Sequence, residues 1–433
     1  MDDLFYARAQ MGVSLAFHIV FAAVGVAMPA FMALAEWRWL RTGDAAWREL
    51  SKRWAKGTAI LFAVGAVSGT VLSFELGLLW PRFMELSGSI VGLPFALEGF
   101  AFFTEAIFLG ILLYGWDRVS PRMHLFAAVV VAVSGAASAF FVTLANAWMN
   151  SPGGFRLENG IVVDVDPWAA MFVPGWAEEV VHVLLSCYTS TAFAVAGIHA
   201  LFLLRRPTSA MHRNAFGLAL VVGGVCAFLQ PISGDFSARS VHRRQPIKLA
   251  AMEGHFETKA CAPLRIGGWP DEETRTTRYA IEIPCGLSLL ATHDPNAVIT
   301  GLDSVPRDEW PPVRNVHLYF QTMVGSGTLL AFTALASAFL WWRGGRKLPA
   351  HPRFLKWIAL VSPLGFVALE AGWMVTEQGR QPWIIHEVMR TADAVTPTTG
   401  LAISFFSVSA VYGLLGVATA LLLYRQIAPE PRP

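Results

Sequence analysis

Nine apolar stretches of membrane-spanning length constrain the fold of this 433-residue chain more than any other feature. About 20 apolar residues in a helix cross the hydrocarbon core of a bilayer. Because no water is available there, the backbone N–H and C=O groups must be paired internally, as they are in a helix. We therefore predict an all-α integral membrane protein with spans near residues 12–36, 57–80, 92–115, 124–148, 180–204, 215–235, 317–342, 355–377 and 403–424.

The composition agrees with this prediction and gives no indication of a nucleic-acid partner. Hydrophobic residues make up 55% of the chain and charged residues 15%, against roughly 25% charged in soluble domains. The net charge is +2, and the basic residues occur in short clusters between the apolar stretches. Such clusters indicate membrane topology.

One long polar connection separates the spans into two groups. We predict an N-terminal six-helix part at 1–235, a loop at 236–314 and a C-terminal three-helix part at 315–433. Loops of this length are usually functional or disordered. Apolar patches that begin at Tyr279 and Leu287 favour a folded element.

The positions of Lys and Arg predict the side of each connection. The short connections after the first, third, fifth and seventh spans are basic, and cytoplasmic loops carry an excess of Lys and Arg. The N-terminus and the loop 236–314 are therefore predicted outside, and the C-terminus in the cytoplasm. The N-terminus lacks the basic region of a cleaved signal peptide, so none is expected.

Ionisable and metal-ligating side chains interrupt the spans at one predicted depth, near the outer leaflet. They are His18, Glu98, Glu105, His182, Met323 and Glu377. An ionisable group inside a membrane costs several kcal/mol unless it has a partner or a function. Each also has a simpler explanation, such as an interhelical hydrogen bond for a His or core packing for a Met. Convergence at one depth favours function, because random substitutions would scatter.

The ligand chemistry of these groups suits haem iron. A His and a Met together make a six-coordinate iron, whereas a single ligand leaves a position free for oxygen. His182 and Met323 are such a pair, and His18 and Glu377 are single-ligand candidates. Side chains that project inward from facing helices hold such cofactors in bundles. The sequence thus allows three haems, although spacing alone proves no pairing.

The segment Glu370–Trp383 ends the eighth span with two carboxyl groups and a Gly-Arg-Gln-Pro-Trp turn. Trp373 and Glu377 share one helix face with Glu370. Trp373 is a candidate to pack between macrocycles, and Arg380 to pair with propionates, since a guanidinium matches carboxylate geometry. The simpler alternative is an interfacial salt bridge between Glu377 and Arg380, with Trp373 an ordinary packed aromatic.

The loop contains a cation and an acid that could act on a quinol. Lys248 and Glu253 could hydrogen-bond its oxygens and accept its proton, and the alternative is two solvated charges. We expect both to lie away from the spans of His18 and Glu377.

Two of the four cysteines, Cys261 and Cys285, also fall in the loop. In an oxidising compartment they form either a disulfide or two separate buried thiols.

Together these residues resemble subunit I of the cytochrome bd-type quinol oxidases, and the match covers nearly the whole chain. It is carried by Ala9-Gln10, Phe17-His18, Pro94–Glu98, Gly115–Arg118, Asn146–Met149, Lys248–Glu253, Met323 and Glu370–Trp383. The Gly-Arg-Gln-Pro-Trp turn after Glu-Ala-Gly-Trp is highly specific.

The resemblance implies a haem-binding bundle of nine helices with an external quinol-binding loop. The implied activity is oxidation of quinol at the outer face and reduction of O2 to water at a high-spin haem. Protons would come from the cytoplasm, and charge would be separated without a pump. The implied partners are subunit II, ubiquinol or menaquinol, O2, the bilayer of the bacterial inner membrane and, as a further candidate, a small single-span subunit.

The resemblance also implies residue roles. His182 and Met323 would hold the low-spin haem b, while His18 and Glu377 would each hold one of two high-spin haems. Glu98 would lie at the oxygen-reducing haem and Glu105 in a proton route. Lys248, Glu253, Trp373 and Arg380 keep the roles given above.

Some residues depart from the long-loop branch of the family and are closer to the cyanide-insensitive branch. Gln321 stands where the long-loop branch has Arg, and Gln378 where Tyr is common, with His386 shortly after. The second high-spin site is therefore left as haem d or a further haem b. Two other functions stay open: a proton-coupled membrane transporter without haem, in which the buried acids form the path, and a cytochrome b that only passes electrons.

Overall fold

The protein is described by a computed structural model that covers residues 3–395 and 400–427. Its helices are α1 (Asp3–Thr42), α2 (Ala45–Leu79), α3 (Pro81–Tyr114), α4 (Pro121–Asn150), α5 (Pro167–Met171), α6 (Trp176–Arg205), α7 (Ala210–Arg244), α8 (Pro246–Glu253), α9 (Gly286–Thr292), α10 (Val313–Arg343), α11 (Pro352–Val361), α12 (Leu364–Gly379), α13 (Thr391–Ala394) and α14 (Leu401–Ile427). Across these described ranges, nine helical segments are long and apolar enough to cross a membrane, which confirms the predicted spans.

The eighth predicted span consists of two helices, α11 and α12. They are separated at Ser362 and Pro363. Proline has no backbone N–H, so a helical hydrogen bond is lost at Pro363, although Ser362 and Pro363 both keep helical φ and ψ angles. The apolar run therefore continues while the helix is interrupted.

The predicted start of the loop at 236 lies inside α7, which continues to Arg244. The apolar character of the span ends near residue 235, but no proline interrupts the chain until Pro246. The helix therefore outlasts its hydrophobic part, and Pro246 begins the next helix, α8. This α8 ends at Gly254, whose φ of 59° is a left-handed conformation that glycine adopts without strain.

The segment between α7 and α10 is folded around short antiparallel strands. The ten strands of the chain are β1 (Arg156–Glu158), β2 (Ile161–Val163), β3 (Lys259–Ala260), β4 (Leu264–Ile266), β5 (Trp269–Asp271), β6 (Thr276–Arg278), β7 (Ile281–Ile283), β8 (Val298–Ile299), β9 (Trp383–Ile385) and β10 (Met389–Arg390) within the described residues. They pair as β1–β2, β3–β8, β4–β7, β5–β6 and β9–β10.

A disulfide joins Cys261, just before β4, to Cys285, just after β7, and these two strands pair with each other. Beneath it lies a small buried cluster that includes Leu249, Ala262 and Leu287. Of the two alternatives left by the sequence, the structure adopts the bonded one.

The chain divides into two compact units. Unit 1 lies within Met1–Val142, Val195–Ala219 and Ala394–Pro433, and unit 2 within Thr143–Ala194 and Leu220–Asp393. In unit 1, α1 packs against α2 and α14. In unit 2, α10 packs against α12 and α8. The unit boundaries differ from the predicted limits at 235 and 314, which stay a prediction.

Candidate functional site

His18, in unit 1, is oriented by a serine on the neighbouring helix. Its Nδ1 lies 2.9 Å from Ser68 Oγ. The single Ser68 hydroxyl hydrogen points to the carbonyl oxygens of Val64 and Gly65, at 2.9 and 3.1 Å, so Ser68 Oγ accepts a hydrogen bond from Nδ1–H. Nε2 therefore keeps its lone pair. Gly69 leaves room for the ring, since a Cβ there would lie 3.1 Å from Cε1.

His182, in unit 2, has the same arrangement on α6 and α7. Its Nδ1 lies 2.9 Å from Ser233 Oγ, and Ser233 donates its hydroxyl hydrogen to the Gln230 carbonyl at 3.0 Å. Nε2 is again the acceptor nitrogen and receives a hydrogen bond from the Gln230 amide at 3.1 Å. A neutral imidazole that keeps a lone pair on one nitrogen and is oriented through the other is the form that binds a metal. In His182 this lone pair is held by the Gln230 amide, which a metal would have to displace.

Met323 lies on α10 in a space opened by a glycine of α12. A Cβ on Gly372 would lie 3.1 Å from the Met323 sulfur. A larger residue in place of Gly372 would displace the Met323 thioether.

A buried cluster two to three turns away brings the helices of His182 and Met323 together. It includes Phe193 of α6 and Leu330 of α10. Phe193 follows His182 by eleven residues and Leu330 follows Met323 by seven, so each shares a helix face with its candidate ligand. Both candidate ligands therefore face the seam that this cluster closes.

Glu377, at the end of α12, has a partner for each carboxylate oxygen. Asn146 Nδ2 donates to Oε1 at 2.8 Å, and Arg380 Nη2 donates to Oε2 at 2.7 Å. The salt bridge considered as the simpler alternative is thus present. Trp373 lies half-buried on the same helix.

Arg380 is 2% exposed, and its Nε and Nη1 have no hydrogen-bond partner among the described residues. Buried donors are normally satisfied. Unfilled guanidinium N–H groups beside a candidate haem ligand fit an anionic group such as a propionate.

Lys248 reaches the Glu377 helix, contrary to the expectation that it lies away from it. Its Nζ donates to the Thr376 carbonyl at 3.3 Å and to Asn150 Oδ1 at 3.4 Å. Asn150 in turn donates to Asn146 Oδ1 at 2.9 Å. Hydrogen bonds therefore connect Lys248 with Glu377 through two asparagines.

The expectation was wrong because the chain turns back at Gln245, between α7 and α8. The Gln245 side chain donates to the Asn150 carbonyl at 2.9 Å, which holds α8 against the end of α4. Gly379 admits the Lys248 stem, since a Cβ there would lie 3.0 Å from Lys248 Cγ.

Glu179 is a neighbour of Lys248 that sequence reasoning missed. Burial lowers the pKa of Lys248 to about 8, and the Glu179 carboxylate opposes that shift. Arg244, Arg380 and Glu377 also lie near Glu179. The available signal was an acid three residues before His182 at the start of an apolar span.

Glu253 lies at the end of α8, on a different side from Lys248. It is 4% exposed, and its Oε2 has no hydrogen-bond partner among the described residues. Burial raises the pKa of Glu253 to about 7, and the nearby Arg265 opposes this shift. His255 follows; burial lowers its pKa to about 4.

Gln321, one of the departures from the long-loop branch, anchors the loop to α10. Its side-chain oxygen accepts from the Gly267 N–H at 2.9 Å, and its amide donates to the Arg265 carbonyl at 3.0 Å. The loop backbone beside Glu253 is therefore fixed by this side chain.

The two acids of α3 face α4 in unit 1. Ser138 donates to Glu98 Oε1 at 2.9 Å. Glu105 is 5% exposed and lies beside Gly135, where a Cβ would be 3.5 Å from both carboxylate oxygens. A further acid, Glu75, accepts hydrogen bonds from Gln10 and Ser14 at 2.9 and 2.8 Å; sequence reasoning did not single it out.

The predicted site residues thus fall into two sets. Unit 1 contains His18, Glu98 and Glu105, and unit 2 contains Lys248, Glu253, His182, Met323, Trp373, Glu377 and Arg380. Within unit 2 the structure bonds Glu377 directly to Arg380 and connects it to Lys248 through Asn146 and Asn150.

Comparisons with known proteins give one consistent result. Residues 6–431 match the family model of cytochrome bd terminal oxidase subunit I. The putative cytochrome bd menaquinol oxidase subunit I of Bacillus subtilis is 39% identical over 439 residues, which cover 100% of this chain and 98% of the relative. The cytochrome bd ubiquinol oxidase subunit 1 of the same organism is 32% identical, over 99% and 94%. The solved bd oxidase of Geobacillus thermodenitrificans superposes with a TM-score of 0.93 at 39% identity, over 99% of both chains.

Proposed function

Because the chain belongs to the cytochrome bd terminal oxidase subunit I family, we propose specific roles for its residues in quinol oxidation and oxygen reduction. The protein is a multi-pass bacterial membrane protein and a quinol oxidase subunit that uses haem. Its partner is subunit II, and its substrates are quinol and O2. A transporter without haem is not favoured.

His182 and Met323 hold the low-spin haem b in this proposal. Haem supplies, when bound, one-electron carriers and the centre at which O2 is reduced. The acceptor Nε2 of His182, the space at Gly372 and the shared seam support this pair.

His18 and Glu377 are proposed as the single ligands of two high-spin haems, one a haem b and the other a haem d or a further haem b. A carboxylate has about four lone-pair sites, and Glu377 uses one on Asn146 and one on Arg380. Ligation is therefore compatible with both bonds. Arg380 has donors left for propionates, and Trp373 is placed one turn before Glu377 to pack against a macrocycle.

Glu253 and Lys248 serve quinol oxidation. A carboxyl group with a pKa of about 7 is matched to accepting the quinol proton. Lys248 supplies a buried cation whose hydrogen bonds lead towards Glu377. The relatives are named for menaquinol and for ubiquinol, and both quinols carry hydroxyl groups whose protons a base such as Glu253 can accept.

Proton uptake is proposed from the cytoplasm past Glu105 to Glu98, with quinol protons released outside. The basic connections support a cytoplasmic C-terminus and an outer N-terminus. This sidedness separates charge without a pump. A small single-span subunit remains a candidate partner.

The pair of His182 and Met323 on one seam carries this proposal, and Met323→Leu tests it. The low-spin signal in the reduced-minus-oxidised spectrum is expected to disappear, and quinol oxidase activity with it. Pyridine haemochrome analysis counts the haem types in parallel. Met171→Leu, at a buried methionine elsewhere in unit 2, is the control. An unchanged low-spin spectrum and midpoint potential in Met323→Leu would overturn the assignment.

A further inference from the structure

A fully buried Glu–His pair lies at one end of unit 1, outside the residues assigned above. Glu36 of α1 is 0% exposed and His124 of α4 is 1% exposed. Glu36 Oε2 lies 2.8 Å from His124 Nδ1. Ser51 of α2 donates to the other oxygen, Oε1, at 3.0 Å. Ionisable groups buried in a membrane bundle usually have a function.

The pair holds one transferable proton. His124 Nε2 lies 3.2 Å from the Leu112 carbonyl, which only accepts, so Nε2 carries a hydrogen. The short contact between Nδ1 and Glu36 Oε2 therefore contains one more hydrogen, placed on either atom. Its removal leaves a net negative charge in a site without exposure, a costly state that favours rapid return of a proton.

The same three helices that surround this pair also surround Glu105. In one layer, Glu105 of α3 lies beside Gly135 of α4, and a Cβ on Gly135 would be 3.2 Å from the Gly25 carbonyl of α1. In the next layer, His124 of α4 contacts Glu36 of α1 and the Leu112 carbonyl of α3. The two layers therefore lie on one seam.

The sequence spacings show that the layers are stacked along that seam. Gly25 and Glu36 are eleven residues apart, and so are His124 and Gly135; eleven residues make three turns, which return to the same face. Helix rise places the layers about 10 to 16 Å apart.

A third layer extends the line to Glu98. Ser138 of α4 donates to Glu98 at 2.9 Å. Leu112 follows Glu98 by fourteen residues on α3, and Ser138 follows His124 by fourteen residues on α4. The polar line therefore extends about 21 Å along α3 and α4, most of a hydrocarbon core of about 30 Å.

We propose that the Glu36–His124 pair is a proton-holding site that supplies Glu105. The inference rests on the proposed proton route through Glu105. It adds the group from which Glu105 receives its proton. In each cycle the pair gives up one proton, which water molecules along the seam carry about 10 to 16 Å to the Glu105 carboxylate. The pair then takes one proton from the aqueous side, and no electron moves in this step.

The groups around the pair suit that role. Trp116 covers His124, with ring centroids 4.0 Å apart, and separates it from the cations of Arg48 and Lys52 that lie over the indole at 5.8 and 5.1 Å. Asp117 binds Arg48 at 2.7 Å on the exposed side. Ser51 and the Leu112 carbonyl are the other polar groups in contact with the pair.

Glu36→Gln in the complete oxidase tests the proposal, because glutamine keeps the shape and hydrogen bonds but carries no transferable proton. Quinol-driven turnover, and proton uptake after mixing pre-reduced enzyme with O2, are expected to fall at least about tenfold, with haem content and spectra unchanged. Glu36→Asp should restore part of both rates. Glu49→Gln, an exposed acid at the same end of unit 1, should change neither.

The outcomes separate this inference from the proposed function. Wild-type-like proton uptake in Glu36→Gln would overturn the inference and leave the oxidase assignment intact, whereas a wild-type protein without haem would overturn the proposed function. If Glu36→Gln loses haem, His124→Gln is measured, with the same tenfold loss expected. Normal uptake in His124→Gln, or haem loss in both variants, would make the pair structural and end the proposal.

Discussion

Units 1 and 2 orient their histidines in the same way but surround their acids differently. His18 and His182 each donate a hydrogen bond from Nδ1 to a serine hydroxyl at 2.9 Å. In unit 1, however, Glu98 is hydrogen-bonded by a neutral hydroxyl. In unit 2, Glu377 forms a 2.7 Å ion pair with Arg380.

This difference separates two tasks. An acid held by neutral groups can change its proton without breaking an ion pair, which suits a proton route. An acid in an ion pair is held in position by its cation, which suits a site that binds anionic or ligating groups. In the proposed roles, Glu98 and Glu377 thus use the same residue type for moving a proton and for holding a cofactor.

The largest expected effect comes from breaking the ion pair of unit 2. Arg380→Leu leaves Glu377, whose side chain is 32% exposed, without its buried cation, and removal of one partner of a partly buried pair is destabilising. We expect haem content and turnover to fall at least about tenfold, measured by pyridine haemochrome analysis and oxygen consumption. Arg390→Leu removes more exposed pairs with Asp308 and Glu309 and should have little effect. A fully haem-loaded, active Arg380→Leu enzyme would contradict the contrast between the units.

The next effect, expected at the quinol loop, is confined to quinol oxidation and leaves haem binding intact. Glu253→Gln removes the proposed base and should slow quinol-driven turnover about 10² to 10⁴-fold, the usual contribution of a general base. The haem spectrum and the reaction of pre-reduced enzyme with O2 should stay near normal. The exposed Glu257→Gln is the matched control.

The expected pH dependence of quinol turnover follows from the pKa of Glu253. The pKa of Glu253 is raised to about 7, and a base acts in its deprotonated form. Quinol turnover limited by this step should therefore rise as the pH increases through about 7, and Glu253→Gln should flatten that rise. Normal quinol kinetics in the variant, or loss of the O2 reaction, would remove Glu253 from the quinol site.

The smallest effect tests the serine–histidine hydrogen bond that both units contain. Ser233→Ala and Ser68→Ala each free the Nδ1–H of one histidine, and loss of such a partner typically costs about 10 to 100-fold in metal affinity or activity. We expect Ser233→Ala to shift the midpoint potential of the low-spin haem only, and Ser68→Ala to alter a high-spin signal only. Threonine at either position should restore the wild-type signal. Changes in both signals from one substitution would show that a serine–histidine hydrogen bond does not act on one haem alone.

The sequence predicted the spans and the family well because a bilayer enforces hydrophobicity along each crossing helix. The predicted start of the loop at 236 lies inside α7, because this helix continues to Arg244, beyond its apolar residues. Sequence reasoning missed the contact of Lys248 with the Glu377 helix because this contact depends on a turn at Gln245. Ser68 and Ser233 gave no signal, since serine occurs often in membrane helices.

The Cys261–Cys285 disulfide has a consequence for the order of biogenesis. Disulfides form in oxidising compartments, so we expect the loop to reach its bonded form only after it has crossed the membrane. Nascent subunits could then contain every candidate haem ligand while the quinol-binding surface is still unfinished. Maturation of the enzyme would thereby depend on the thiol-oxidising capacity outside the cell membrane as well as on haem supply within.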